Sequence, residues 1–380
     1  MAKSDIPRPA YPYRRVVAKL GTNLLTGHRQ QLDQSLVSRL ASQIARLHHQ
    51  GLEFIIVSSG AVAAGRQELG LTRKIRGIPF KQVLAAVGQH HLMMVYEELF
   101  GEHGIKVAQA LLAKPDLANR AGYLNTRNTL LALMELKVLC VVNENDVVAV
   151  EELHDAKFGD NDNLSAMVAN LVDADLLLIL TDLPGLYTAD PHRDPKARLI
   201  SQVEKIDASI ERLAAGTVSP VGTGGMVTKI AAAKLATTSG VTVIIADGRE
   251  PDIIPRLVAG EDLGTRFLPT TSRRESRQRW MLSGLSTKGK LTVDSGAALA
   301  IKKQNRSLLA AGVREVEGRF QRGAIVNVFD PEGNCLGCGI INYSSSETDV
   351  IKGAHSDQIA GLLGSDYGCE VIHRNNLVLL

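Results

Sequence analysis

The sequence predicts an α/β fold in which a mostly parallel sheet is sandwiched by helices, followed by a small β-rich C-terminal domain. Three observations lead there. Short, almost wholly apolar runs such as "DLLLILTD" recur along the first two thirds of the chain, each preceded by a longer helix-like stretch. Unbroken apolar runs suit strands buried on both faces, and strand–helix alternation suits a parallel sheet with helices on both sides. After about residue 265 the pattern changes to shorter alternating segments divided by turn residues, as in a separate strand-rich unit.

The elements follow in order. Residues 1–13 read as a flexible tail; the start "MAKSDIPRPAYPYRR" carries prolines and charges and no apolar stretch of the kind a secretory signal needs. "RRVVAKL" is the first strand. "DQSLVSRLASQIARLHHQG" places Leu36, Leu40, Ile44 and Leu47 on one helical stripe, with Gly51 as its stop. "EFIIVSSG" is the second strand and runs into a helix start of small residues. "IKVAQALL", "VLCVVN", "DLLLILTD" and "VTVIIADG" are further strands. These form one domain over residues 14–270. "TRFLPTTSRRESRQRWMLSG", rich in arginine, reads as a boundary, with the linker proper at 271–287. "GKLTVD", "GAIVNVFDPEG" and "CLGCGIINYSS" then build the second domain, 288–380, around a D-P-E-G turn.

Composition excludes several classes. With 45% hydrophobic and 22% charged residues the chain is an ordinary globular one. A net charge of +3 does not by itself argue for nucleic acid. No apolar run approaches the ~20 residues of a membrane span, so the expectation is a cytoplasmic protein. Cys335 and Cys338 form a C-L-G-C pair that would suit zinc or redox chemistry. With only Cys369, His355 and His373 loosely at hand, two small buried residues on a strand are the favoured reading.

In a sheet of this kind ligands collect beyond the carboxyl ends of the strands. The first strand ends in Lys19 and Gly21, the second in Ser58-Ser59-Gly60, and "VLCVVN" in Asn143 with Asp146 just beyond. "GDNDN" brings Asp160, Asn161 and Asp162 to a helix start, and "LLLILTD" ends in Thr181 and Asp182. "GTGGMVTK" adds Thr223, Gly224, Gly225, Met226, Val227, Thr228 and Lys229 at another helix start. Taken singly, Lys19 reads as a solvated charge, Asp160 and Asp162 as helix caps, and the glycine pair as a turn. Taken together, two lysines and glycine loops suit a polyphosphate, while carboxylates with amides suit a small zwitterion. The combination points to phosphoryl transfer from a nucleotide to a small metabolite. The P-loop spacing is absent.

At these residues the chain resembles a known family. "VAKLGTN", "VSSGAVAAGRQELG", "KQVLAAVGQ", "NENDVVA", "FGDNDNLSAMVA", "LTDLPGLYTADP" and "GTGGMVTKIAAAKLA" occur in the order found in the glutamate 5-kinase family of the amino acid kinase superfamily, over residues 14 to 270. "GKLTVDSGAALAI" and "GCGIINYSS" resemble the PUA domain that many bacterial members carry. The resemblance implies the amino acid kinase fold. It also implies ATP-dependent phosphorylation of the γ-carboxylate of L-glutamate to L-glutamyl 5-phosphate, the first step of proline synthesis. A magnesium requirement, with the ion carried mainly by the ATP phosphates, and feedback inhibition by proline come with it. So do a homo-oligomer, often a tetramer, and contact with glutamate-5-semialdehyde dehydrogenase.

By motif position, Lys19 and Lys229 would be the catalytic lysines and Asp162 the carboxylate that holds them. Ser59, Asn143, Asp146, Asp160 and Asn161 would bind glutamate. Lys19, Thr181, Asp182 and residues 223 to 229 would contact ATP. Main-chain N–H groups around Gly21 and Gly60 would complete the site. One departure is visible: "VVAVEELHDAKFG", between Asp146 and Asp160, is longer than the bacterial pattern leads one to expect. Two rivals stay open. One is another amino acid kinase, acting on acetylglutamate, aspartate or a nucleoside monophosphate. The other is an RNA-binding protein that uses the PUA-like domain with Arg266, Arg273, Arg274, Arg277, Arg279 and Trp280.

Overall fold

The computed structural model describes residues 11–27, 31–71, 77–118, 120–148, 161–191, 193–216, 225–272, 288–304, 306–364 and 367–379. The tail 1–10, most of the 147–159 segment and most of the linker therefore lie outside the described residues. The chain divides into two compact units, Met1–Leu117 with Thr126–Arg273, and Ala118–Asn125 with Arg274–Leu380.

In the first unit the order is β1 (Arg15–Leu20), α1 (Thr22–Thr26), α2 (Gln34–His49), β2 (Glu53–Ser58), α3 (Ala61–Glu68), α4 (Ile78–Gly101) and β3 (Val107–Leu112). It continues with α5 (Lys114–Ala118), α6 (Arg120–Glu135, whose residues up to Asn125 count with the second unit), β4 (Leu139–Glu144), α7 (Asn161–Leu171), β5 (Leu176–Thr181) and β6 (Gln202–Val203). α8 (Ala208–Gly216), α9 (Met226–Thr237), β7 (Thr242–Asp247), α10 (Ile253–Val258) and β8 (Thr265–Phe267) complete it. The eight strands form one sheet in the order β3-β4-β2-β1-β5-β7-β8-β6. All its pairings are parallel except β7 with β8.

The apolar runs are strands because both sheet faces are covered: every residue of β5 is buried, as is all of β1 beyond Arg15. Alternation sorts them. Val16, Ala18 and Leu20 join a core with Leu40 and Ile44 of α2, Leu92 and Tyr96 of α4, and Leu257 of α10. Val17 and Lys19 consequently face the other layer, where α7 packs against β1 and α9 against β7. The expected stop of α2 is present as a Schellman turn. Gly51, at φ +92°, donates to the His48 carbonyl, and the Leu52 N–H reaches that of Leu47.

Two short strands depart from the sequence reading. The stretch from 265 read as polar boundary sequence with no strand in it, yet Thr265 and Phe267 are fully buried in β8, beside β7. Three residues are too few to display a period, and the arginine between them masks the pattern. The Arg266 guanidinium is held by the Gly260 and Glu261 carbonyls and by Asp262. β6 is shorter still.

The second unit holds β9 (Gly289–Val293), α11 (Ser295–Gln304), β10 (Leu308–Leu309), β11 (Val313–Gly318), β12 (Ile325–Phe329) and β13 (Cys335–Ile340). α12 (Ser345–Ile351), α13 (Ile359–Leu363), β14 (Glu370–Ile372) and β15 (Leu377–Leu379) follow. Its main sheet runs β11-β9-β12-β13-β15, and β10 pairs with β14. Asp330 to Gly333 turn β12 back into β13, with Gly333 at φ +84°. Cys338 is buried on β13, and burial pushes its thiol pKa up. Cys335 is exposed, a correction to the expected buried pair: it opens the strand at the turn. Among the described residues no group of His, Cys, Asp and Glu gathers as metal ligands.

Candidate active site

The chain crosses over between β4 and β5, so β1 stands between two strands whose connections leave in opposite directions. Such a switch point opens a crevice at the carboxyl ends of the central strands. The site lies at these ends.

Lys19, next to last in β1, is only 5% exposed, and its ammonium group lies 2.6 Å from Asp162 Oδ1. Asp162 sits in the first turn of α7, where a carboxylate also suits the helix dipole, and is 1% exposed. Lys229, in the first turn of α9 and 4% exposed, reaches Asp162 Oδ2 at 3.3 Å. The Thr228 hydroxyl donates to the same oxygen at 2.7 Å. Burial pushes the Asp162 pKa up; the charges of Lys19 and Lys229, with the hydrogen bonds of Lys19 and Thr228, more than offset this. The carboxyl is held well below the usual range. Lys19 is thus no solvated charge, and Asp162 is no simple cap.

The glycines serve different ends than expected. Gly21 is extended, at φ −74° and ψ 151°, and its N–H donates to the Leu180 carbonyl. That N–H is therefore committed to the sheet, a correction to its expected role toward phosphate. A Cβ at Gly21 would lie 3.3 Å from the Leu180 oxygen, a tight contact, so the missing side chain eases the close approach of this turn to β5. Gly60 does take the left-handed conformation, at φ +98°, just before α3. Gly225 precedes α9 with no side-chain cap, so N–H groups of that first turn remain for an anion.

A second cluster lies alongside. Asn161 Nδ2 donates to the Ser58 carbonyl at 3.0 Å, to Ser59 Oγ at 3.0 Å and to Asn143 Oδ1 at 3.1 Å. Asn143 Nδ2 in turn donates to Gln89 Oε1 at 2.7 Å. Three of the expected substrate residues thus meet around one amide. Asp146 lies in the turn after β4. Asp160, Thr223 and Gly224 fall outside the described residues.

At the end of β5 the Thr181 hydroxyl donates to Asp182 Oδ1 at 3.0 Å. Met226 is buried and Val227 exposed. Sequence reasoning missed two residues here. Arg249 donates to the Asp182 carbonyl at 2.7 Å while gripping the Asp247 carboxylate with Nε and a terminal nitrogen. Gln89 was missed although it carries a signal: it is a polar residue on the buried stripe Ala85, Gly88, Gln89, Leu92 of α4.

The model of the amino acid kinase family matches residues 14–247, and that of the PUA domain matches 289–363. The glutamate 5-kinase of Dehalococcoides mccartyi is 59% identical over 97% of this chain and 99% of its own length. The glutamate 5-kinase of Citrifermentans bemidjiense is 52% identical over 97% of this chain and 98% of its own. That of Herpetosiphon aurantiacus is 48% identical over 96% and 98%. With motifs, fold and near full-length likeness in agreement, the chain belongs to the amino acid kinase family, among its members that carry a C-terminal PUA domain.

Proposed function

We propose that this chain transfers the γ-phosphoryl group of ATP to the γ-carboxylate of L-glutamate, giving L-glutamyl 5-phosphate for proline synthesis. A carboxylate oxygen forms the new bond to phosphorus, the bond from phosphorus to the β,γ-bridging oxygen breaks, and ADP leaves with that electron pair. The observation that carries the reading is the buried Lys19–Asp162–Lys229 cluster at the switch point.

A γ-carboxylate with a pKa of ~4.3 is already ionised near neutrality, so no base has to remove a proton. The obstacle is the approach of two anions. Lys19, Lys229 and Asp162 are all nearly buried, so the two ammonium groups are held in place where their charge acts on the migrating phosphoryl group. Lys19 approaches from β1 and Lys229 from α9; Asp162 keeps the two like charges from separating. Asn143, Asn161 and Ser59, with Asp146 and Asp160, hold the amino-acid end. Thr181, Asp182 and the segment 223–229 hold the nucleotide, with Thr228 acting through Asp162.

Both Asp162 oxygens are engaged by lysines, so this carboxylate is not free for a metal. The residues suit magnesium only as a partner of the ATP phosphates, whose charge it would partly offset. Proline inhibition, a homo-oligomer and hand-over of the product to glutamate-5-semialdehyde dehydrogenase belong to the same reading. The test is ATP turnover with L-glutamate, D-glutamate, L-aspartate and N-acetyl-L-glutamate, with and without proline, scored by acyl hydroxamate. L-glutamate should be strongly preferred and proline inhibitory. Faster turnover with N-acetylglutamate or aspartate would overturn the substrate assignment.

A further inference from the structure

Among the described residues, two buried polar atoms on either side of Asn143 have no hydrogen-bond partner. Gln89 is 9% exposed, and its Oε1 accepts from Asn143 while its Nε2 makes no hydrogen bond among the described residues. Asn161 donates through Nδ2, and its Oδ1 is shut off from solvent with no hydrogen bond.

Main-chain groups fix which end of each amide is which. The Glu144 N–H donates to Asn143 at 2.9 Å, so the accepting atom there is Oδ1 and the other end is a donor. That donor requires the carbonyl oxygen of Gln89, which leaves the Gln89 NH₂ unused. The Ser58 carbonyl likewise requires the NH₂ of Asn161, which leaves the Asn161 oxygen unused. One free donor and one free acceptor thus flank a single asparagine. Buried polar groups are rarely left so. A molecule that completes both must carry an acceptor and a donor close together, as an α-amino acid does with its carboxylate and ammonium groups.

We propose that Gln89 is a substrate-specificity residue whose Nε2 donates to the α-carboxylate of the acceptor amino acid, while Asn161 Oδ1 accepts from its α-ammonium group. The assignment rests on the kinase reading above and extends it. Asn161 adjoins Asp162, the anchor of both lysines, so the phosphoryl acceptor end of the substrate belongs on that side. Gln89 stands beyond Asn143 and serves the remote end.

Gln89→Glu tests this cleanly, because it keeps an oxygen for Asn143 Nδ2 and replaces the free donor with an acceptor. The KM for L-glutamate should rise about tenfold or more, while the KM for ATP stays close to wild type. Inhibition by γ-aminobutyrate, which lacks the α-carboxylate, should be unaffected. An unchanged L-glutamate KM would overturn the assignment, as would an equal loss of γ-aminobutyrate binding, which would mean a distorted pocket. If Gln89→Glu does not fold, Gln89→Met, which lacks the donor, should show the same KM split. A wild-type enzyme inactive on L-glutamate would sink the kinase reading itself. A normal wild type with an indifferent variant sinks only the role of Gln89.

Discussion

Lys19 and Lys229 close on opposite oxygens of one carboxylate, at 2.6 and 3.3 Å from Asp162, although they come from different ends of the kinase unit. Each is therefore fixed before any phosphate arrives, and neither must be reorganised during transfer. Lys229→Ala and Lys19→Ala should each lower kcat by about 10²–10³. L-glutamate binding, measured calorimetrically without ATP, should change little. Near-normal turnover in either variant would remove the electrostatic assignment.

Asp162 links this chemistry to stability. Replacing it with asparagine removes the buried carboxylate that both ammonium groups share, a loss on the order of 3–5 kcal/mol. The pH dependence has a definite sign. The folded-state pKa of Asp162 is lowered, so its contribution is present above the unfolded value of ~3.9 and is lost as pH falls toward the folded value. The stability gap between wild type and Asp162→Asn should be flat from about pH 8 to 5 and narrow below about pH 4. Chemical denaturation at several pH values measures it. A gap that widens on acidification would contradict the pairing.

The residues legible in the sequence are those whose role depends on position at a strand end. Lys19, Asn143 and Thr181 could be located because an apolar run of that length announces a strand and its carboxyl end. The hydroxyl of Thr228, a residue expected at the nucleotide, lies on Asp162, and that contact was not foreseen; which neighbour a hydroxyl finds depends on the packing of α7 against α9, which no local pattern records. The Gly21 N–H was misassigned for a similar reason, since its acceptor, Leu180, belongs to the adjacent strand β5. β8 was hidden by its brevity. Residues 118–125, grouped with the second unit, show no compositional break; Leu124 is buried with Ile325, Cys338, Ile340 and Val378.

Helix packing supports the amide cluster. A Cβ on Gly88 of α4 would lie 1.8 Å from the Ala61 carbonyl oxygen and 2.2 Å from the Gly65 nitrogen, both on α3. Only glycine allows that approach, and the obstacle is main chain, which cannot swing aside. Gly88→Ala should cost about 1–3 kcal/mol. It should also raise the KM for L-glutamate, because α3 begins beside Ser59 and α4 carries Gln89. Denaturation curves and steady-state kinetics on the same preparation check both effects, and a variant as stable as wild type would refute the contact.

Arg249 offers a test of the nucleotide side. Its guanidinium spans from the end of β7 to the end of β5, binding Asp247 in a forked geometry and the Asp182 carbonyl with one nitrogen. The Gly248 N–H also reaches the Thr181 carbonyl at 2.9 Å, so the two strand ends are tied twice. If Thr181 and Asp182 contact ATP, loosening this tie should weaken the nucleotide and spare the amino acid. The side chain is 53% exposed, so the effect should be modest: Arg249→Ala should raise the KM for ATP by about two- to fivefold. The KM for L-glutamate should stay within error. A reversed pattern would place the nucleotide elsewhere than the end of β5.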